Sequence, residues 1–457
     1  MRALLITGDR SGSGKTSITL ALAALLKKQG IVQTFKVGMD YIDPSYLAAV
    51  SGRPCRNLDN FALGDGQIRE IFSFGCRGAD IALVEGVRGL YEGAEALDDT
   101  GSTAAIAKTL NLPVVLVVSA QSITRSAAAI VKGFQAFDPG VRIAGIILNQ
   151  VKGGSHKEKA TRAIEHYCGV PVIGAIPRMD EMQLAMRHLG LVPYREGAGR
   201  GDFDKRIRTI TDIIGKYVDL DRLLALAEEI PSSRKDSLLD HAPEQDVCIG
   251  VAFDEAFNFY YADLFDVLPS LGAKAVQFSP IHDRLPDADG YIIGGGYPEL
   301  FVPELEANDR MRDAIRDISR NGVPIYAECG GLMYLTDRMV LKKGWQGRET
   351  ELSGAMCGVF PGETRMPARR VVSYVEGASN PRCPMGAARF RGHEFHYSEV
   401  ALAPSTKFAY KLSRGIGIRD TLDGAVIKNT LGSYTHLHPV GSRDMFRNFV
   451  DNCRGRN

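Results

Sequence analysis

The chain has 457 residues, of which 45% are apolar and 24% charged, and a formal net charge of +1 at pH 7. That length suggests roughly two to four domains, and the composition is that of a globular enzyme. The balanced charge gives no reason to expect nucleic acid or an anionic membrane as a general partner. No apolar run approaches the ~18 residues of a membrane-spanning helix. The first apolar run begins almost at Met1, which leaves no room for a secretory leader. Eight cysteines are scattered without a C-x-x-C pair, so neither a zinc site nor a disulfide framework is expected, and a reducing cytoplasm is the natural compartment.

Ala3 to Ile6 enters the glycine-rich turn GDRSGSGKT, Gly8 to Thr16, and a helix pattern follows through Ile18, Leu22, Leu25 and Leu26 to Gly30. Strand, glycine turn, Lys-Thr and helix make a phosphate-binding loop. Gly12 and Gly14 let backbone N–H groups point at a phosphate, Lys15 reaches terminal phosphates, and Thr16 can join a magnesium shell. Gly8 and Gly14 enclose five residues, one more than the standard spacing, which marks a variant loop.

Val32 to Val37 reads as a second strand containing Lys36, followed by Asp40 and Asp43 in MDYIDP. Acids beyond a strand's C-terminal end are placed either as magnesium ligands or as a solvated turn. Pro44 argues against a regular helix through Asp43. Arg53 and Arg56 could clamp a substrate carboxylate or form salt bridges. Ile81 to Val84 reads as a buried strand ending in Glu85, either a second metal ligand or a cap, with tight turns at Gly86, Gly89 and Gly93.

Asp99 to Thr103 opens a short helix. Further strands are expected at Pro113 to Val118, Ile143 to Leu148 and Val170 to Ile176, with helices at Thr124 to Phe137 and Lys157 to Tyr167. The alternation predicts a mostly parallel, doubly wound α/β sheet. Asn149, at a strand end, is read as an adenine-edge contact or a turn residue. Arg187-His188-Leu189-Gly190 reads as a substrate-side segment or a helix cap.

A helical stretch from Asp204 to Glu229 closes a first domain (1–229). Polar residues 230–245 read as a linker, and residues 246–457 as a second domain. Its strands are expected at Val247 to Phe253, Lys274 to Phe278 and Gly290 to Ile293, and helices near Tyr260 to Leu271 and Pro303 to Asn321. Gly295, within Gly294 to Tyr297, offers a backbone N–H for an oxyanion. Cys329, between Val323 to Glu328 and Gly330-Gly331, has the layout of a nucleophile elbow at a helix start, with Gly330 as a second oxyanion donor. Its base is sought in GSYTHLHP, at His436 or His438, with His393 and His396 as competitors. No Glu lies two residues beyond either late histidine, so a Cys-His dyad is expected.

The motifs FKVGMDYIDPSYL, GRPCRNLD, LVEGVRGLYEG, RHLGLVP, GGGYPELF, YAECGGLMYL, RGHEFHYSE and GSYTHLHP together resemble the cobyrinate a,c-diamide synthase family over nearly the whole chain. The resemblance implies an N-terminal dethiobiotin-synthetase-like amidoligase domain and a C-terminal class I glutamine amidotransferase-like α/β domain. GDRSGSGKT, VEGVRGLYEG, DTGSTAAIAK and SITRSAAA look most like the nickel-sirohydrochlorin a,c-diamide synthases within it. The cobyrinate enzymes more often carry Met at the Arg88 position and Asp at the Glu92 position.

By this resemblance Lys15, Thr16 and Lys36 serve ATP, with Mg²⁺ as cofactor. Asp40, Asp43 and Glu85 serve metal binding and activation. Tyr41, Ile42, Arg88 and Glu92 line the side of an acidic tetrapyrrole. Cys329 is the glutaminase nucleophile, and His436 is favoured over His438 as its base. ATP and glutamine are the implied co-substrates, ammonia passes from one domain to the other, and a homodimer is the assembly left open.

Overall fold

The computed structural model describes residues 1–182, 186–187, 190–191, 201–231, 236–242 and 244–455. The chain divides into two compact units, Met1–Ser237 and Leu238–Asn457.

In the first unit, strands and helices alternate: β1 (Arg2–Gly8), α1 (Lys15–Leu26), β2 (Val32–Val37), α2 (Ile42–Ser51), β3 (Arg56–Leu58), α3 (Asp65–Gly75), β4 (Ile81–Gly89), α4 (Thr103–Thr109), β5 (Val114–Ser119), α5 (Arg125–Phe137), β6 (Ile143–Val151), α6 (Gly154–Cys168) and β7 (Val172–Pro177). The sheet order is β3-β2-β4-β1-β5-β6-β7. These strands all pair in parallel, as strand–helix–strand connections require. Glu228–Glu229 adds a short antiparallel pairing to β1.

Apolar runs explain the core. Leu4, Leu5, Ile6, Leu83, Val84, Leu116 and Val117 are all fully buried, each contributing roughly 1.5–3 kcal/mol on burial. Because the strands are parallel, their C-terminal ends lie together. The ends of β2, β4 and β1 are neighbours, with Lys36 opposite Glu85 and Ile6 opposite Glu85. The register thus brings the phosphate loop, Lys36 and Glu85 to one edge.

Several elements depart from the sequence reading. α2 runs from Ile42 to Ser51 with Pro44 inside it. Pro44 is tolerated because a first-turn N–H has no intrahelical acceptor to lose. β4 continues through Gly86 to Gly89 instead of turning after Glu85; a Cβ at Gly86 would lie 2.4 Å from Thr7 Oγ1. β3 is a strand for which the sequence carries no expectation. The expected helix Pro303 to Asn321 is two helices, Val302–Ala307 and Asp309–Arg320, because Asn308 caps the second through Met311 N. Of RHLGLVP, His188, Leu189, Val192 and Pro193 lie outside the described residues.

The second unit is built on a mixed ten-stranded sheet. Its parallel half contains, in spatial order, Ala273–Phe278, Val247–Ala252, Gly290–Ile293, Ile325–Glu328 and Thr430–Ser433. Antiparallel strands Leu422–Ile427, Lys407–Arg414, Val371–Ser379, Arg389–His396 and His436–Leu437 extend it. The chain leaves Ile325–Glu328 at Cys329 and enters the helix Gly330–Tyr334. The returning strand Arg389–His396 carries His393 opposite His436.

Candidate active sites

In the first unit the turn after β1 is shaped by glycine. Gly12 and Gly14 have φ of +79° and +93°. A Cβ at Gly14 would lie 2.3 Å from Asn149 Nδ2 and would force that side chain to shift. α1 begins with no side-chain cap, so its first N–H groups and dipole face outward for an anion. Burial and the neighbouring Lys36 charge lower the pKa of Lys15.

Asn149, read as an adenine-edge contact or a turn residue, meets the phosphate loop. Its Nδ2 donates to Ser13 O at 2.8 Å, and its Oδ1 accepts from Gln150 N at 2.9 Å. The side chain therefore clasps the phosphate loop from β6.

Beside the loop stands a buried ionic cluster. Lys36 Nζ lies 2.7 Å from Asp43 Oδ2 and 3.0 Å from Glu85 Oε1, and it donates to Gly86 O at 3.1 Å. Thr16 Oγ1 donates to Glu85 Oε1 at 2.7 Å and stands 3.5 Å from Asp43 Oδ2. Burial disfavours the Lys36 charge, yet Asp43, Glu85 and Asp40 raise its pKa well above the usual lysine value. Burial also opposes ionisation of Asp43, but Lys36 and Lys15 outweigh it and hold that carboxyl low. Burial raises the pKa of Glu85 although Lys36 opposes the shift. Burial and the Asp43 charge push Asp40 up to about 7.

Asp40 Oδ1 accepts from Ile42 N at 2.8 Å, which starts α2. Asn57 on β3 donates to Gly38 O and Asp40 O at 2.8 and 2.7 Å. It thereby fixes the loop that presents the acids, a role the sequence did not reveal.

The donor set fits a magnesium ion. Thr16 Oγ1, Asp43 and Glu85 converge, and Glu85 Oε2 is buried with no hydrogen-bond partner. Among the described residues no three His, Cys, Asp or Glu side chains form a closed metal cage. Mg²⁺ needs only one or two carboxylates, completing its shell with phosphate oxygens and water.

The four residues assigned to the substrate side differ in setting. Tyr41 is half-buried beside α2, and Ile42 is a core residue at 7% exposure. Arg88 is exposed, has φ of +50° and donates to Gly93 O at 3.2 Å. Glu92 is exposed, and its carboxylate fills the space a Cβ at Gly89 would need. Arg53 is structural: it donates to Gln33 Oε1 and to the carbonyls of Gly75 and Arg77. Arg56 is buried against the Phe74 ring.

The second unit assembles the other site. Cys329 has φ of +47° and ψ of −99°, a left-handed strain for a non-glycine residue. Its N–H donates to Ser433 O at 2.7 Å, which ties the elbow to the strand leading to His436. His436 is 1% exposed and hydrogen-bonded to Cys329. Its Nδ1 lies 3.4 Å from Glu328 Oε2. Burial opposes charge on His436, but Cys329 and Glu328 overcome it and push its pKa up to about 10.

Where a bare Cys-His dyad was expected, Glu328 is the carboxylate that stands beside His436. Its Oε1 accepts from Tyr326 Oη and, at 2.9 Å, from Leu437 N. An acid ending a buried strand next to the cysteine was the available signal.

His438 is placed elsewhere. Its ring packs on Tyr261 with centroids 4.6 Å apart, and its Nε2 is 3.7 Å from Asp263 Oδ2. The strand ends at Leu437, so His438 lies beyond it and its ring is placed apart from that of His436. His396 stacks on Tyr434 at 3.6 Å. Gly295 borders the histidine, since a Cβ there would lie 2.7 Å from His436 Cε1. Gly330 opens the helix after Cys329 and is crowded by Gly296 N. Both glycines stand beside the Cys329–His436 pair.

Comparison with known proteins matches both units. Residues 4–192 match a CobQ/CobB/MinD/ParA nucleotide-binding domain, and residues 248–443 a CobB/CobQ-like glutamine amidotransferase domain. The cobyrinate a,c-diamide synthase of Methanosarcina acetivorans is 50% identical, over 98% of this chain and 94% of that protein. That of Methanosarcina barkeri is 49% identical over 99% and 96%. The same-named protein of Syntrophotalea carbinolica is 41% identical over 99% and 98%. With two domain families matched in order and full-length relatives at this identity, the chain belongs to the cobyrinate a,c-diamide synthase family of glutamine-dependent ligases.

Proposed function

We propose that the chain amidates the a- and c-side-chain carboxylates of an acidic tetrapyrrole, using ATP and glutamine, with nickel-sirohydrochlorin as substrate. The observation that carries the activation chemistry is the Lys36–Glu85–Thr16–Asp43 cluster beside the phosphate loop. A carboxylate is a poor electrophile. Its oxygen attacks the terminal phosphorus of ATP, the bond to ADP breaks, and an acyl phosphate forms. Ammonia then attacks the acyl carbon and phosphate leaves with the former carboxylate oxygen. Lys15 and Lys36 offset the charge on the transferring phosphoryl group. Bound Mg²⁺, held by Thr16 with Asp43 or Glu85, would neutralise phosphate charge.

Cys329 attacks the side-chain amide of glutamine, and His436 takes the thiol proton and returns it to the departing ammonia. The backbone N–H groups of Gly295 and Gly330 receive the oxyanion. Water releases glutamate from the thioester. Glu328 holds Nδ1 of His436 throughout.

Nickel-sirohydrochlorin is favoured by Arg88 and Glu92 within VEGVRGLYEG. The second reading, cobyrinate, is favoured by the name its relatives carry. The test offers both compounds together to the purified protein with ATP, Mg²⁺ and glutamine, counting amides by mass spectrometry. Two amides on the nickel compound and few on cobyrinate is the expected result. Preference for cobyrinate moves the substrate assignment. Turnover of neither overturns the tetrapyrrole reading.

A further inference from the structure

We propose that His393 is a positioning residue for His436, a stacked ring that holds the plane along which protons move between Cys329 and the departing ammonia. This rests on the reading of Cys329 and His436 as the glutamine-hydrolysing pair.

The backbone register builds the contact. His393 and His436 are direct partners across an antiparallel pair, and Gly392 is opposite Leu437. Gly392 allows the close approach, because a Cβ there would lie 2.2 Å from His436 O. The two rings stack with centroids 4.8 Å apart and planes 20° from parallel. A histidine ring turns easily about its outer torsion. His436 must present Nδ1 to Glu328, so the exchange with the thiol falls to Nε2, and a small rotation spoils both. His393 restrains that rotation from one side, while Gly295 crowds Cε1.

His393 is itself anchored. It is 6% exposed, and its Nδ1 lies 3.3 Å from Tyr261 Oη. The ionisable groups packed around the pair are Cys329 and Glu328 at the elbow, Tyr261 and Asp263 ahead of the helix Leu264–Ser270, and His438. Burial, with the charges of His436 and His438, pushes the His393 pKa well below the ordinary histidine value. A neutral ring is what this position requires, since a second cation stacked on the His436 imidazolium would repel it. The uncharged π-face attracts that imidazolium instead.

The test uses the full chain and measures glutamate release together with the pH dependence of Cys329 alkylation by iodoacetamide. His393→Leu removes the ring, and His393→Phe keeps a neutral one. The Leu variant should lose at least about tenfold in kcat with a smaller change in KM for glutamine, and its alkylation midpoint should move to higher pH. The Phe variant should stay within about threefold of the parent.

A folded Leu variant with unchanged kcat and alkylation profile overturns the proposal. So does a folded Phe variant that loses more than about tenfold, and this second result decides the matter even if the Leu variant does not fold. Cys329→Ala separates the underlying reading: glutamate release by that variant would sink the nucleophile assignment itself.

Discussion

The carboxylate of Glu328 lies 3.4 Å from Nδ1 of His436, although 108 positions separate them in the chain (436 − 328). Glu328 ends the strand that delivers Cys329, and it pairs in register with Ser433 on the strand that leads to His436. Parallel pairing thus places the acid, the thiol and the histidine together. Tyr326 and Leu437 N bind the other carboxylate oxygen, so Glu328 is oriented before any substrate arrives.

Glu328→Gln keeps the shape and removes the charge that supports the His436 imidazolium. Glutamate release should fall by about 10²-fold or more, in kcat rather than in KM. Amidation with added ammonium chloride in place of glutamine should persist. Steady-state assays with each nitrogen source check this, and equal losses with both would argue against a role confined to glutamine hydrolysis.

Lys36→Met should be destabilising as well as inactive. Lys36 is 1% exposed between Asp43 and Glu85, and breaking a buried pair leaves carboxylates uncompensated at a cost of about 3–5 kcal/mol. Adding Glu85→Gln and Asp43→Asn to Lys36→Met should recover much of the loss without restoring ATP turnover. Urea unfolding of the two variants makes the comparison.

Gly12 and Gly14 should respond unequally to alanine. Both carry positive φ, so both pay roughly 1–2 kcal/mol of backbone strain. A Cβ at Gly12 meets nothing within 4 Å, whereas one at Gly14 collides with Asn149. Gly14→Ala should therefore raise the KM for ATP far more than Gly12→Ala. Equal effects would mean that the clasp from Asn149 is unimportant.

The His436 ionisation predicts a pH-dependent stability. Its folded pKa of about 10 lies above the ordinary 6.5. The folded state therefore binds the proton more tightly, and the stabilisation is fully present below pH 6.5. It fades as pH rises from 6.5 and is lost through pH 10. Urea midpoints across that range should fall for the parent and fall less steeply for His436→Gln.

Continuous apolar runs made much of the architecture legible. Val32 to Val37 and Gly290 to Ile293 are strands with the bounds their sequence predicts, because each is a short segment rich in apolar and β-branched residues between turn residues. The glycine loop with Lys15 and Thr16, and Cys329 ahead of Gly330-Gly331, were readable for a related reason. Local backbone conformation at those turns depends on residues adjacent in the chain.

What sequence could not resolve was set by pairing between distant segments. Three-residue β3 carries no periodicity of its own, yet it places Asn57 on the loop that presents Asp40. Arg53 could be read as a carboxylate clamp or a salt-bridge residue, and its acceptors are Gln33 and two backbone carbonyls. Sequence does not separate His436 from His438; the register with His393 and the approach of Glu328 do. By itself the sequence determined the order of elements, the phosphate loop and the cysteine elbow, all of which follow from local backbone chemistry. Tertiary structure alone decided which acid meets which base, because hydrogen bonds and charge pairs form between side chains whose separation is set by strand register.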